Sequence, residues 1–95
     1  MSTERELLRL AQETATIIVT SARVAVEGRD GSRQEVHLAD ITDVVVGAAG
    51  AGAGAGYAVR VQHWRPWPAL VATLDDEGAA RRLAQAIVAA AREVP

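Results

Sequence analysis

The strongest structural signal in this chain is its C-terminal stretch, DDEGAARRLAQAIVAAAREV at 75–94. Apolar residues recur there with the 3.6-residue period of an amphipathic helix. They are Ala80, Leu83, Ala84, Ile87, Ala90, Ala91 and Val94. Asp75 or Asp76 precedes them, where a carboxylate can accept the free N–H groups of a first helical turn. Because a stripe made mostly of alanine lets a helix lie close to a flat partner, the sequence predicts one helix packed on a sheet.

Composition limits the class of protein. A chain of 95 residues suffices for one domain with a modest core. Its formal net charge of −2 argues against nucleic acid or an anionic membrane as the main partner. There is no cysteine, so disulfides and thiolate chemistry are excluded and a reducing, cytoplasmic location is expected. The mixed charges of MSTERELLRL do not fit a signal peptide.

The N-terminal segment Thr3–Glu13 also follows a helical period. Thr3 and Glu6 have the spacing of a capping box, and the leucines that follow form an apolar side. The sequence therefore predicts a short helix within residues 1–13. Three roles fit it: packing on the edge of the domain, binding a partner or a second copy, or a frayed terminus.

The middle of the chain favours extended structure because β-branched residues dominate it. Extended segments are predicted at 17–20, 24–26, 33–38, 41–46, 57–62 and 68–74. Thr20–Ser21 is either a bend between the first two segments or part of one long bent strand, and Asp30–Gly31 predicts a hairpin turn. Within Arg33–Leu38, Val36 and Leu38 alternate with polar residues, which is typical of an antiparallel sheet with one solvated face.

Together these elements predict an α+β fold. We expect one domain spanning residues 1–95, built on a bent antiparallel sheet of five or six strands. A C-terminal helix caps the sheet on its apolar face, and a short N-terminal helix precedes it.

The low-complexity segment Gly47–Gly56 has four alternative interpretations. As a dinucleotide loop it has only a relaxed G-x-G-x-x-G spacing ending in Ala55, and the β-branched, proline-containing segment after it cannot form the required helix. As a membrane span, the uncharged window Val44–Val59 falls short of the roughly 20 residues needed. A flexible connector fits better than either of these or than cross-β stacking, so no cofactor site is predicted.

Both tryptophans of the chain fall in one turn, Trp64–Arg65–Pro66–Trp67. Each ring can bury roughly 150–250 Å². The rings either cover an open end of the sheet, form an exposed hot spot for a protein partner, or line a ligand pocket. We expect a split, with one ring seated against the sheet end and one available. Trp64, Arg65, Pro66 and Trp67 are therefore the predicted binding residues, with Arg65 able to stack or to pair with a carboxylate.

Two short motifs resemble bacterial pleckstrin-homology-like domains: VTSARV at Val19–Val24 and VHLADITDV at Val36–Val44. The order of short strands, further strands and one C-terminal helix is similar to that family. The nearest resemblance is to an uncharacterised bacterial family in which a membrane hairpin separates the two halves of the domain. There the second half begins with a tyrosine-led strand, as Tyr57–Leu74 does here, and Gly47–Gly56 stands in place of the hairpin. The resemblance spans Ile17–Val94 and implies a PH-like fold in a soluble version.

Catalytic and metal-binding patterns are scarce. His37 and His63 lie in different predicted strands, without cysteine or acid at metal-ligand spacing. The acids at Asp75–Asp76–Glu77 are explained by a helix N-terminus. We therefore predict no catalytic residues, no metal and no enzyme activity.

Two classes of function remain. The first is a non-catalytic protein-interaction module, belonging to a larger bacterial assembly or to a homo-oligomer. The second, implied by the PH-like resemblance, is a lipid- or headgroup-binding domain. That class requires clustered basic residues, and only Arg23, Arg29 and Arg33 lie close together, interleaved with acids. We expect a protein partner or self-association, with no nucleic acid, no identifiable small-molecule substrate and no membrane binding.

Overall fold

The computed structural model describes residues 4–13, 15–49 and 56–94. Within them the chain is an α+β protein of seven strands and one C-terminal helix. The elements are β1 (Glu6–Ala11), β2 (Ala15–Thr20), β3 (Arg23–Gly28), β4 (Arg33–His37), a 3-10 turn (Leu38–Asp40), β5 (Ile41–Ala48), β6 (Tyr57–His63), β7 (Leu70–Leu74) and α1 (Glu77–Arg92).

The strands form two antiparallel sheets. One has the order β1-β2-β3-β4 and the other the order β5-β6-β7. The predicted single sheet of five or six strands is therefore wrong. The 3-10 turn separates the sheets: the Leu38 N–H donates to the Ala22 carbonyl at 2.9 Å and the Leu38 side chain is buried. This turn redirects the chain, so β5 pairs with β6 and not with β4.

The predicted N-terminal helix is also wrong, because residues 6–11 form the strand β1. Leu8 and Leu10 pack against the core and alternate with exposed Arg9, which is the period of a strand. An isolated helix of about 11 residues is marginal in water, whereas β1 gains an antiparallel ladder to β2 that is interrupted only by a register shift between Glu6 and Leu8. Glu6 has no capping role and accepts a hydrogen bond from Arg9 Nη2 at 2.6 Å, while Thr3 lies outside the described residues.

The predicted bend between the first two extended segments is confirmed. Thr20 Oγ1 accepts the backbone N–H groups of Ala22 and Arg23, at 3.1 and 3.0 Å. These bonds stabilise the turn at which β2 ends and β3 begins, and the two strands pair antiparallel. The alternative of one long bent strand is therefore wrong.

The predicted hairpin between β3 and β4 is confirmed as well. Gly31 has a φ of 89°, which favours glycine, and Asp30 Oδ1 accepts the Ser32 N–H at 2.9 Å. Along β4, Val36 is buried while its neighbours in sequence are exposed, as the alternation predicted.

One core is shared by both sheets and the helix. Its buried members are Ile17, Val19, Val24, Val36, Leu38, Val59, Val61, Leu70, Ala72, Leu74, Ala80, Leu83, Ile87 and Ala90. The predicted C-terminal helix is confirmed with bounds Glu77–Arg92, and Leu83 and Ile87 lie at its buried centre. Asp76 is its N-cap, because Asp76 Oδ2 accepts the Ala79 N–H at 2.9 Å.

The predicted Gly47–Gly56 loop begins too early. Gly47 and Ala48 belong to β5 and pair with β6, and the Ala49 N–H donates to the Gly56 carbonyl at 3.1 Å. Residues 50–55 lie outside the described residues. Among the helices of the described part, none has the length and apolar character needed to cross a membrane.

Candidate functional site

The turn Trp64–Trp67, called the tryptophan turn below, leaves β6 at the end of the three-stranded sheet. Neither ring enters the core: Trp64 is 62% exposed and Trp67 53% exposed. The expectation that one ring would be seated against the sheet end is therefore wrong. Smaller side chains fill the core at this end, since Val61 and Leu70 are already buried.

Asp40 holds the tryptophan turn in place. Trp64 Nε1 donates to Asp40 Oδ1 at 3.1 Å, and Arg65 Nε donates to Asp40 Oδ2 at 2.7 Å. The Trp64 backbone N–H also donates to the Asp40 carbonyl, at 3.3 Å. One residue therefore fixes the backbone of the turn, one indole and the guanidinium. The sequence reasoning did not single out Asp40, because it lies 24 residues from Trp64 along the chain.

The Arg65 guanidinium lies over both indole rings. Its guanidinium carbon lies 4.6 Å from the centroid of the Trp64 ring and 5.5 Å from that of Trp67. These are cation–π distances. The pairing with Asp40 compensates the charge of Arg65. The turn therefore presents two exposed aromatic rings around a neutralised ion pair. Pro66 lies between them and is exposed.

The hydrogen bond from Arg65 lowers the pKa of Asp40 below the ordinary aspartate value of about 3.9. Partial desolvation raises this pKa, and the Trp64 N–H lowers it further. Asp40 is therefore a carboxylate at neutral pH, and the bonds that order the turn are present there.

We expect acid to loosen the tryptophan turn. Because the pKa of Asp40 is lower in the folded state, its contribution is present above about pH 4 and is lost as the pH falls through the folded value. Tryptophan emission between pH 7 and pH 2 measures this, since both tryptophans of the chain lie in the turn. The Asp40→Asn variant should resemble the acid state at neutral pH and lack the transition. An equal acid transition in Asp40→Asn would contradict the role of Asp40.

A cleft of about 300 Å³ opens beside the turn, between β4 and the start of β7. Its floor is apolar, formed by Val36 and Leu70, and the Trp67 ring lies at its side. The His63 ring lies 5.9 Å from the Trp67 ring, and His63 Nε2 is 3.1 Å from the Pro68 carbonyl oxygen. His63 Nδ1 is shielded and has no hydrogen-bond partner among the described residues. The cleft is at the lower limit of ligand-pocket volumes.

Most basic residues near β3 and β4 form ion pairs with glutamates. Arg23 pairs with Glu4 and Glu35 at 3.1 and 3.0 Å. Arg33 pairs with Glu35 at 3.1 Å and with Glu27. The hydrogen bond from Arg33, together with the charge of Arg23, lowers the pKa of Glu35. Partial desolvation raises this pKa but does not cancel the lowering. Among its described residues, this sheet therefore offers no cluster of free guanidinium groups, although Arg29 in the hairpin turn is exposed.

The other acids and histidines do not converge. His37 is exposed at the end of β4, and Asp76 is used as a helix cap. Across the described ranges 4–13, 15–49 and 56–94, no three His, Asp or Glu side chains are grouped as a metal site.

Comparison of the chain with protein-family models, with curated proteins and with solved structures finds no match.

Proposed function

We propose that this protein is a non-catalytic protein-interaction module that binds its partner through the tryptophan turn. The observation that supports this most directly is the exposure of both indoles in a turn fixed by three hydrogen bonds to Asp40. Tryptophan and arginine dominate binding hot spots because they offer large apolar area with a polar group at the edge. Here they are the only two tryptophans of the chain and an arginine stacked on both.

Preorganisation strengthens the case for binding. A side chain that is immobilised on binding loses about 0.5–1.5 kcal/mol of rotamer entropy. In the tryptophan turn, Asp40 and the stacking already restrain Trp64 and Arg65 before any partner arrives. The neutralised charge of Arg65 also reduces the desolvation penalty of covering this surface. The turn is therefore suited to an apolar or aromatic patch on a protein partner.

The PH-like relationship remains a proposal that rests on the two sequence motifs and on the order of strands followed by one helix. Within it, we favour a module of a bacterial assembly over the headgroup-binding alternative. Arg23 and Arg33 are both occupied by carboxylates, so binding an anionic headgroup would first have to break these ion pairs.

The variants Trp64→Ala and Trp67→Ala test the proposal. Because each ring is more than half exposed, we expect each variant to lose no more than about 2 kcal/mol of unfolding free energy, below the roughly 3–5 kcal/mol of a core tryptophan. Thermal and urea melts measure this. Any protein captured by the wild type should then be purified and its affinity measured, with a loss of at least about 30-fold expected for the variants.

Arg29→Ala is the matched control, since it removes an exposed side chain from the β3–β4 hairpin turn, away from the tryptophan turn. Binding that persists in the double tryptophan variant, or binding lost equally in Arg29→Ala, would contradict the proposal. Co-sedimentation with vesicles containing phosphatidylserine tests the headgroup-binding alternative. Vesicle binding that survives in the tryptophan variants would favour the headgroup alternative.

A further inference from the structure

A second surface lies on the outer face of the three-stranded sheet. Val45, Arg60 and Val71 are directly opposite one another in the register of β5, β6 and β7. Their neighbours in each strand face the core, so these three side chains face away from it. Val45 is 43% exposed and Val71 40% exposed, and Arg60 is exposed between them. Two valines flanking an arginine therefore form a row across this outer face.

The same face carries one carboxylate near the arginine. Asp43 is opposite Gln62, which lies two residues from Arg60 along β6. Asp43 and Arg60 are both exposed, and neither forms an ion pair with any of the described residues. From the described residues, the Asp43 carboxylate accepts only the N–H of its neighbour Val44, at 2.9 Å. The face therefore holds one unpaired positive and one unpaired negative charge beside exposed valines.

We propose that this face binds the same face of a second copy of the chain about a two-fold axis. A two-fold interface must be self-complementary, with residue i meeting residue j and j meeting i. Asp43 would pair with Arg60 of the second copy, and Arg60 with Asp43 of the second copy. The proposal extends protein binding from the tryptophan turn to the adjoining outer face of the sheet, and it names the partner as the chain itself.

Strand geometry shows that this pairing also brings apolar groups together. Strands lie about 4.8 Å apart and rise about 3.3 Å per residue. On a flat grid of that spacing, the axis that relates Asp43 to Arg60 passes close to Val45, which then meets Val45 of the second copy. The alternation along β6 continues to Trp64, whose N–H extends the ladder by donating to the Asp40 carbonyl. The same axis places Trp64 near Val71 of the second copy.

The area of the face predicts a weak dimer. Three strands of about four residues each cover far less than the roughly 800 Å² per partner of a standard stable interface. The exposed part of Trp64 adds to this area without reaching that value. We therefore expect association at protein concentrations of tens to hundreds of micromolar and a dependence on ionic strength, because ion pairs contribute to it.

Charge reversal gives a sharp test. Arg60→Asp leaves two acids on each face, and Asp43→Arg leaves two arginines, so each variant alone should dimerise at least about tenfold more weakly than the wild type. An equimolar mixture of the two variants restores both ion pairs across one heterodimer. The double variant Asp43→Arg/Arg60→Asp restores them within a homodimer. Sedimentation equilibrium should show both recovering to within about threefold of the wild type.

Arg29→Asp is the control for Arg60→Asp, since it makes the same change of net charge at an exposed position of the β3–β4 hairpin turn. It should dimerise as the wild type does, and thermal melts check that every variant folds. A wild type that is monomeric at about 1 mM would overturn the proposal. So would a mixture that associates no better than its components. If Trp67→Ala abolishes association while both charge reversals leave it unchanged, the second copy binds at the tryptophan turn and not at this face.

Discussion

Replacing Leu83 by aspartate is expected to abolish folding. Leu83 lies on the buried side of α1 and is fully inaccessible to solvent. No side chain with a positive charge is buried among the described residues, so the new carboxylate would have no partner. Burying an unpaired ionised group is strongly unfavourable, and the alternative of protonating it still leaves a polar group in an apolar core. Domains of this size are stabilised by only about 5–15 kcal/mol.

Ile87→Asp is expected to give the same result, because Ile87 is equally buried one turn further along α1. Gln85→Asp is the matched control: it introduces the same residue into the same helix at an exposed position. Circular dichroism melts should show a cooperative transition for Gln85→Asp and none for the two core variants. Leu83→Ala should fall between them, with a loss of about 2–5 kcal/mol. A cooperative melt of Leu83→Asp at the wild-type temperature would contradict the placement of α1.

The helix was predictable because its signals are local and agree with one another. Sixteen residues follow one period, the cap residue Asp76 precedes them, and the predicted apolar stripe includes the buried residues Leu83 and Ile87. The hairpin of β3 and β4 was predictable for the same reason, since Asp30 and Gly31 specify its turn without help from the rest of the fold. In both cases the residues that determine the element lie within it.

The strand β1 was not predictable in that way. The run ELLRLA places leucines where they fit one side of a helix and where two of them, Leu8 and Leu10, fit one face of a strand. Pairing with β2 favours the strand over the helix, because the edge of β2 supplies hydrogen-bond partners to β1.

The division into two sheets likewise depends on contacts that are distant in sequence. It depends on the burial of Leu38 in the shared core, which the segment around Leu38 does not specify by itself.

The candidate site was predictable only in part. The concentration of both tryptophans identified the turn, but composition could not distinguish covered rings from exposed ones. Asp40 was missed because its contact with Trp64 and Arg65 follows from the pairing of β5 with β6. The outer-face charges required the register itself, since only the pairing of Asp43 with Gln62 places that carboxylate close to Arg60.

Gly56→Ala is expected to be more damaging than Gly31→Ala or Gly47→Ala. Gly56 has a φ of 73°, and a methyl group built on it would contact the Leu74 carbonyl oxygen too closely. The left-handed backbone alone disfavours alanine by about 1–2 kcal/mol. The close contact is with backbone, so relieving it requires movement of β7 where Leu74 pairs with Tyr57. We expect a total loss of about 2–4 kcal/mol of unfolding free energy.

Substitutions at two other glycines separate the cost of the left-handed backbone from the cost of the close contact. Gly31 has a φ of 89°, but a methyl group there meets no atom of the described residues within 4 Å, so Gly31→Ala should lose about 1 kcal/mol through backbone conformation alone. Gly47 lies in β5 without a positive φ, and a methyl group there meets no atom of the described residues within 4 Å, so Gly47→Ala should change stability by no more than about 0.5 kcal/mol. Urea unfolding of the three variants measures the order. If Gly56→Ala is no more destabilised than Gly31→Ala, the approach of Gly56 to Leu74 does not restrain the end of the sheet.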